Sequence, residues 1–127
     1  MNVKDTLIEA LGIEITHLSQ EKVTATMPVD ERTRQPFGLL HGGASVALAE
    51  TVASIGAYEC LDKETEICAG LEINANHIRA KRDGIVTATA IPVHKGKTTM
   101  IWEINITDEE EKLICISRCT MAILQRK

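Results

Sequence analysis

One stretch constrains this chain more than any other. Residues 41–61 read HGGASVALAETVASIGAYECL, and from Ala44 to Ile55 every side chain is small or hydrophobic except Ser45, Glu50, Thr51 and Ser54. A helix apolar on nearly all sides belongs in an interior. The run therefore predicts a buried central helix, and 18 helical residues would span about 27 Å, enough to cross a sheet. Glu50 is the anomaly inside it. Burying an ionised carboxylate without a partner costs roughly several kcal/mol, so a charge kept where Ala or Leu would stabilise more is a candidate for chemistry.

The remainder reads mostly as strands. Residues 3–11 suggest a short amphipathic helix with Val3, Leu7, Ile8 and Leu11 on one side, ended by Gly12. Val23, Ala25, Met27 and Val29 alternate with Lys22, Thr24 and Thr26, the period of two of a half-buried strand that runs up to Pro28. Four further extended runs follow the central helix, at about 66–80, 84–94, 97–107 and 112–124. The separators Arg82-Asp83-Gly84, Lys95-Gly96 and residues 108–111 are short, which favours antiparallel neighbours. With one strand before the helix and four after it, the economical fold is α+β: one domain over residues 1–127, a curved antiparallel sheet against one long helix.

Composition narrows the function. The net charge of -4 and the single Phe, Tyr and Trp argue against nucleic acid as a partner. No run approaches the ~20 apolar residues of a membrane span, and the start, MNVKDTLIEALG, lacks the basic-then-apolar pattern of an export signal, so a cytoplasmic location is expected. Cys60, Cys68, Cys115 and Cys119 form no CxxC pair and have no histidine at a zinc-like spacing. We read them as reduced structural residues and expect no metal and no cofactor.

The segments QPFGLLHGGASVALAE and GLEINANHIRA, in this order, resemble the hotdog-fold acyl-CoA thioesterases, in the group typified by 1,4-dihydroxy-2-naphthoyl-CoA hydrolase and 4-hydroxybenzoyl-CoA thioesterases. The likeness covers nearly the whole chain, and its specific element is HGG-x(6)-E together with the upstream Gln. It implies sheets joined in a homodimer with active sites at the subunit interface, assembly into a homotetramer, and an aromatic acyl-CoA substrate, with 1,4-dihydroxy-2-naphthoyl-CoA and menaquinone biosynthesis as the named expectation. Carried over residue by residue, it puts the catalytic carboxylate on Glu50, the carbonyl-polarising backbone amide on Gly42 and a helper side-chain amide on Gln35, with His41 and Ser54 at matching positions.

Each of these roles is chemically reasonable. A thioester carbonyl gains negative charge when attacked, and an amide at a helix start offers a fixed donor and the positive end of the macrodipole. Glu50 could attack the carbonyl to form a mixed anhydride or remove a proton from water, and both routes remain open. Ser54, four residues on, would share its helix face; a bond from Ser54 back to the Glu50 carbonyl is the plain structural alternative.

CoA is a polyanion and needs cations. Read as strand, His77, Arg79 and Lys81 would point to one side, with Arg82 at the turn beyond. The loop His94, Lys95, Gly96, Lys97, Thr98 and Thr99 adds cations and amide donors. The resemblance implies CoA contacts at Gly70, at His77, Ile78, Arg79 and Ala80, and along that loop, and the acyl pocket would depend on Phe37, Leu39, Val46 and Ile55. Two other readings stand beside hydrolysis: a CoA-ester sensor that binds without turnover, and a hotdog dehydratase.

Overall fold

The computed structural model describes all 127 residues. In chain order the elements are α1 (Leu7–Leu11), β1 (Glu14–Leu18), β2 (Val23–Pro28), α2 (Gly42–Glu59), β3 (Glu66–His77), β4 (Ile85–Lys95), β5 (Thr99–Thr107) and β6 (Leu113–Gln125). The six strands form one sheet in the order β1-β2-β4-β5-β6-β3, with every neighbouring pair antiparallel. The sheet wraps the 18-residue α2, the hotdog arrangement that the resemblance implies.

Two expectations need correction. The sequence points to one strand before the helix, whereas there are two. β1 is an edge strand whose residues are mostly exposed, so it lacks the apolar alternation by which a strand shows itself in a sequence. The first helix is also shorter than residues 3–11, because Asp5 sits at φ 62, outside the right-handed helical region. Its end is as expected: Gly12 adopts the left-handed conformation, φ 73, and closes α1 with bonds back to Glu9 and Ile8.

The core is where alternation puts it. Val23, Ala25, Met27 and Val29 from β2 and its end, and Met100, Trp102, Ile104 and Ile106 from β5, are all buried and face α2 as one cluster. From the helix come Ala44, Leu48, Ala49, Val52, Ala53 and Ala57. The helix is not buried on all sides, however. The sheet covers one face, while Val46, Ala47, Glu50, Thr51, Ser54 and Ile55, toward the other, are half-buried, with the short α1 lying against part of them. Glu50 thus stands at the rim of the core and not inside it.

The strand β3 needs separate description because both ends of it reach the site. It forms the sheet edge opposite β1 and pairs only with β6. A β-bulge between Gly70 and Glu72 inserts Leu71, which is 62% exposed, and shifts the strand's phase. Before the bulge Cys68 and Gly70 face α2; after it Ile73, Ala75 and His77 do. All four cysteines are free thiols, and burial pushes the Cys119 thiol up to about 11, with the Glu50 and Glu72 charges adding to the effect.

Candidate active site

The start of α2 is built from the preceding loop. The Gln35 side-chain oxygen accepts from the Phe37 N–H, and the Gln35 N–H donates to the Leu39 carbonyl at 2.8 Å, which folds QPFG into a tight turn. Leu40 and His41 then anchor the chain through their N–H groups to the Lys81 and Thr33 carbonyls, each at 2.8 Å. His41 is the helix cap: its Nδ1 accepts from the Gly43 N–H at 2.7 Å, which leaves the proton of the neutral ring on Nε2. The Ala44 and Ser45 N–H groups donate to the His41 carbonyl.

The Gly42 N–H therefore remains as the helix-start amide with no acceptor in the chain. It opens on a cleft of about 300 Å³ lined by Gln35, Leu39, Gly42, Ser45, His77 and Arg79, among others. Gly42 is glycine for a steric reason. A Cβ there would lie 2.9 Å from the His77 Nε2, so only a residue without one lets the imidazole from β3 close over the helix start.

Glu50 lies elsewhere. Its cleft, about 480 Å³, is lined by Gly43, Val46, Ala47, Thr51, Ser54 and Ile55 from α2 and by Leu7 and Ile8 from α1. The carboxylate leans on Gly70 of β3, so closely that a Cβ on Gly70 would overlap Oε2. Ser54 shares the cleft, but its hydroxyl donates to the Met121 sulfur at 3.8 Å, neither to the Glu50 carboxylate nor back to the Glu50 carbonyl. The helical back-bond is made instead by Thr51, to the Ala47 carbonyl at 2.6 Å.

Within one chain these two assemblies stay apart. Gly42 and Glu50 are eight residues distant on α2, about 12 Å of helix rise. Their β3 neighbours, His77 and Gly70, are separated by about 20 Å of strand. A single thioester, about 3 Å from each group it touches, cannot meet both in the same protomer.

The cationic segments divide in the same way. β3 ends at His77, and the Ile78 and Arg79 N–H groups both turn to the Ile114 carbonyl, so His77, Arg79 and Lys81 do not continue as one face of a strand as the sequence suggests. Lys81 is engaged in an ion pair with Glu109 at 2.5 Å, which, with the Ile85 N–H, pulls the Glu109 carboxyl down to about 2. The Arg82 carbonyl accepts from Arg34 at 3.0 Å. Arg79 makes no ion pair, and Ala80 lines the Gly42 cleft beside it.

The 94–99 hairpin stands at the other end of the sheet: Thr99 pairs with Ala122, next to the Met121 that pairs with Gly70. Within it the Gly96 N–H donates to the Thr99 carbonyl, and the Thr98 carbonyl accepts from Ile123, both at 2.8 Å. The His94 ring folds over Gly96. Lys95 pairs with Glu21 at 2.8 Å, which raises the Lys95 pKa, whereas Lys97 makes no ion pair. Sequence reasoning passes over three contributors, Ser45, Leu7 and Ile8. Ser45, 1% exposed and bordering the Gly42 cleft, reads as one more small helix residue, though its place three residues after Gly42 was a usable signal. Leu7 and Ile8 gain their place beside Glu50 only through the docking of α1.

Known proteins resemble this chain in sequence and fold. The sequence profile of the thioesterase superfamily matches residues 37–115. A Bacillus subtilis protein named as an esterase, ComA2, is 59% identical over 126 residues, covering 99% of this chain and all of that protein. The 1,4-dihydroxy-2-naphthoyl-CoA hydrolase of Listeria monocytogenes is 54% identical over 121 residues, 95% of this chain and 98% of its own length. Among solved structures, a mutant of the thioesterase PA1618 from Pseudomonas aeruginosa superposes with a TM-score of 0.95 at 48% identity, covering 98% of this chain and 89% of that one.

Proposed function

This chain belongs to the thioesterase superfamily, and on that footing we propose that it hydrolyses an acyl-CoA thioester to the free acid and CoA in a site shared by two protomers. One observation carries the reading: the Gly42 N–H is a donor without an acceptor, and the carboxylate it should work with lies out of reach in the same chain. A second copy resolves the mismatch. If β3 pairs antiparallel with β3 of a partner about a two-fold near its middle, the Gly70 end of one strand comes against the His77 end of the other, and Glu50 of one protomer faces Gly42 of its partner. The same operation brings the 94–99 hairpin toward Arg79, so that both cationic segments can meet one CoA.

In this dimer the acyl carbonyl oxygen accepts from the Gly42 N–H, helped by the Gln35 side-chain amide and the positive end of α2. Glu50 then acts in one of two ways. As a nucleophile it bonds to the acyl carbon, the C–S bond breaks, CoA leaves as thiolate, and water hydrolyses the resulting anhydride. As a general base it takes a proton from water while the water oxygen attacks the same carbon. A thiolate leaves readily at neutral pH, so no strong acid is required beside it. His41, occupied as the helix cap, serves by fixing the frame of the Gly42 amide.

The Glu50 cleft, with Val46, Ile55, Leu7 and Ile8 around a single carboxylate, supports a compact apolar or aromatic acyl group. The Listeria relative makes 1,4-dihydroxy-2-naphthoyl-CoA the first substrate to try, with menaquinone biosynthesis as the setting. Assembly of two such dimers into a homotetramer belongs to the same reading, as does turnover without a cofactor. The test is a panel of acyl-CoA esters followed by release of free thiol. Turnover is expected to be highest with 1,4-dihydroxy-2-naphthoyl-CoA and its hydroxybenzoyl relatives; tight binding of the esters with no thiol released would mean a sensor and end the proposal.

A further inference from the structure

We infer that Gly70 is a positioning residue, whose missing side chain forms the seat that aims the Glu50 carboxylate; this rests on the reading that Glu50 is catalytic. The backbone does not ask for glycine at this position. Gly12, Gly38 and Gly84 have the positive φ values that favour it, whereas Gly70 does not and lies within the pairing of β3 with β6. A glycine in a strand costs backbone entropy and contributes no packing, so it marks a place where something else comes close. What comes close is Glu50: Oε2 is the nearest atom to a Cβ built on Gly70, at an overlapping distance, and the next is the Glu50 Cδ at 3.6 Å.

The adjoining bulge explains why the seat is here. Gly70 is the last residue before the inserted Leu71 to face α2, and facing resumes only at Ile73, so the strand presents no side chain beneath the carboxylate. Ser54, the other polar neighbour on the helix, is turned to Met121 and holds nothing in place. The carboxylate therefore has a floor made of backbone, and its direction is set by what Gly70 lacks. Because the overlapping atom is the tip of a flexible side chain, an added methyl would move the carboxylate and leave the sheet intact.

That difference makes the test specific. Gly70→Ala should fold with a melting temperature within about 2 °C of the native protein, yet lose about 10-fold to 100-fold in kcat with KM within about twofold. In a Glu50→Asp background, where the carboxylate is drawn back by one methylene, adding Gly70→Ala should cost at least about threefold less than it does with Glu50 present. An unchanged kcat, or the same loss in both backgrounds, would overturn the inference. Should Gly70→Ala fail to fold, Glu50→Ala/Gly70→Ala is expected to restore folding; if it also fails, the methyl meets something other than the carboxylate and the inference falls. The two readings separate cleanly: turnover retained by Glu50→Gln removes the catalytic role itself, whereas turnover lost by Glu50→Gln but kept by Gly70→Ala removes only the seat.

Discussion

The two ends of β3 hold α2 in contrasting ways. At the His77 end a histidine leans over a helix start, where glycine leaves room for an imidazole and an amide is left without an acceptor. At the Gly70 end the roles are reversed: the strand supplies the glycine and the helix supplies the reaching side chain. One end offers positive character from a helix terminus, the other a carboxylate in the middle of a helix, where no terminal charge attracts or repels it strongly. Each end is complete as packing and incomplete as chemistry. An edge strand with its outer side unpaired and these two contacts toward its ends fits the two-protomer site proposed above.

The largest expected effect tests whether the halves belong to different chains. Glu50→Gln should lose about 10³-fold or more in turnover. Gly42→Pro, which removes the free N–H at the first helical position and also sets a Cβ against the His77 ring, should disable that half of the site and lose about 10²-fold to 10³-fold. Refolded together in equal amounts, the two inactive chains should recover about a quarter of native thiol release, because half of randomly paired dimers then contain one intact site of two. A mixture as inactive as its parents would mean that each site is made within one chain. A smaller effect separates the free cation from the engaged one. Arg79→Ala should raise KM for CoA esters about tenfold and leave pantetheine thioesters almost unaffected, and equal effects on both would take Arg79 out of the phosphate site.

The smallest effect lies outside the site. Glu109 has its carboxyl pulled from the ordinary 4.5 to about 2 by Lys81 and the Ile85 N–H, so its bonds stabilise the fold above about pH 4.5 and are lost as the pH falls toward 2. The Glu109 side chain is half exposed, so solvent screens the pair and the contribution is correspondingly modest. Thermal unfolding of Glu109→Gln should show a slightly lower melting temperature than native at neutral pH, converging with it in acid. A constant difference across that range would assign the effect to packing.

Much of this was legible in the sequence because burial writes itself as periodicity. Val23 to Val29 and Met100 to Ile106 alternate because one face of each strand meets α2, and the helix announces itself by small side chains that let a sheet approach. Where burial is slight the signal fails: β1 is mostly exposed, and it was invisible. The site divides along the same line. Glu50 stands out as a charge among apolar neighbours, and a motif points to Gln35, Gly42 and His41. The motif, being linear, could not say that His41 is occupied as a cap or that Ser54 turns to Met121.

Residue types and spacing alone determined the single long helix, the antiparallel strands after it and the presence of one acidic group among apolar neighbours, since each follows from local geometry and from which side chains water excludes. Only the tertiary structure decided that this acid sits at the rim of the core, that Gly70 forms its floor, and that the amide and the cations at the far end of β3 lie beyond its reach. The reason is geometric. A bulge changes which residues of a strand face the helix, and a residue-by-residue pattern carries no record of the distance between two ends of the same strand.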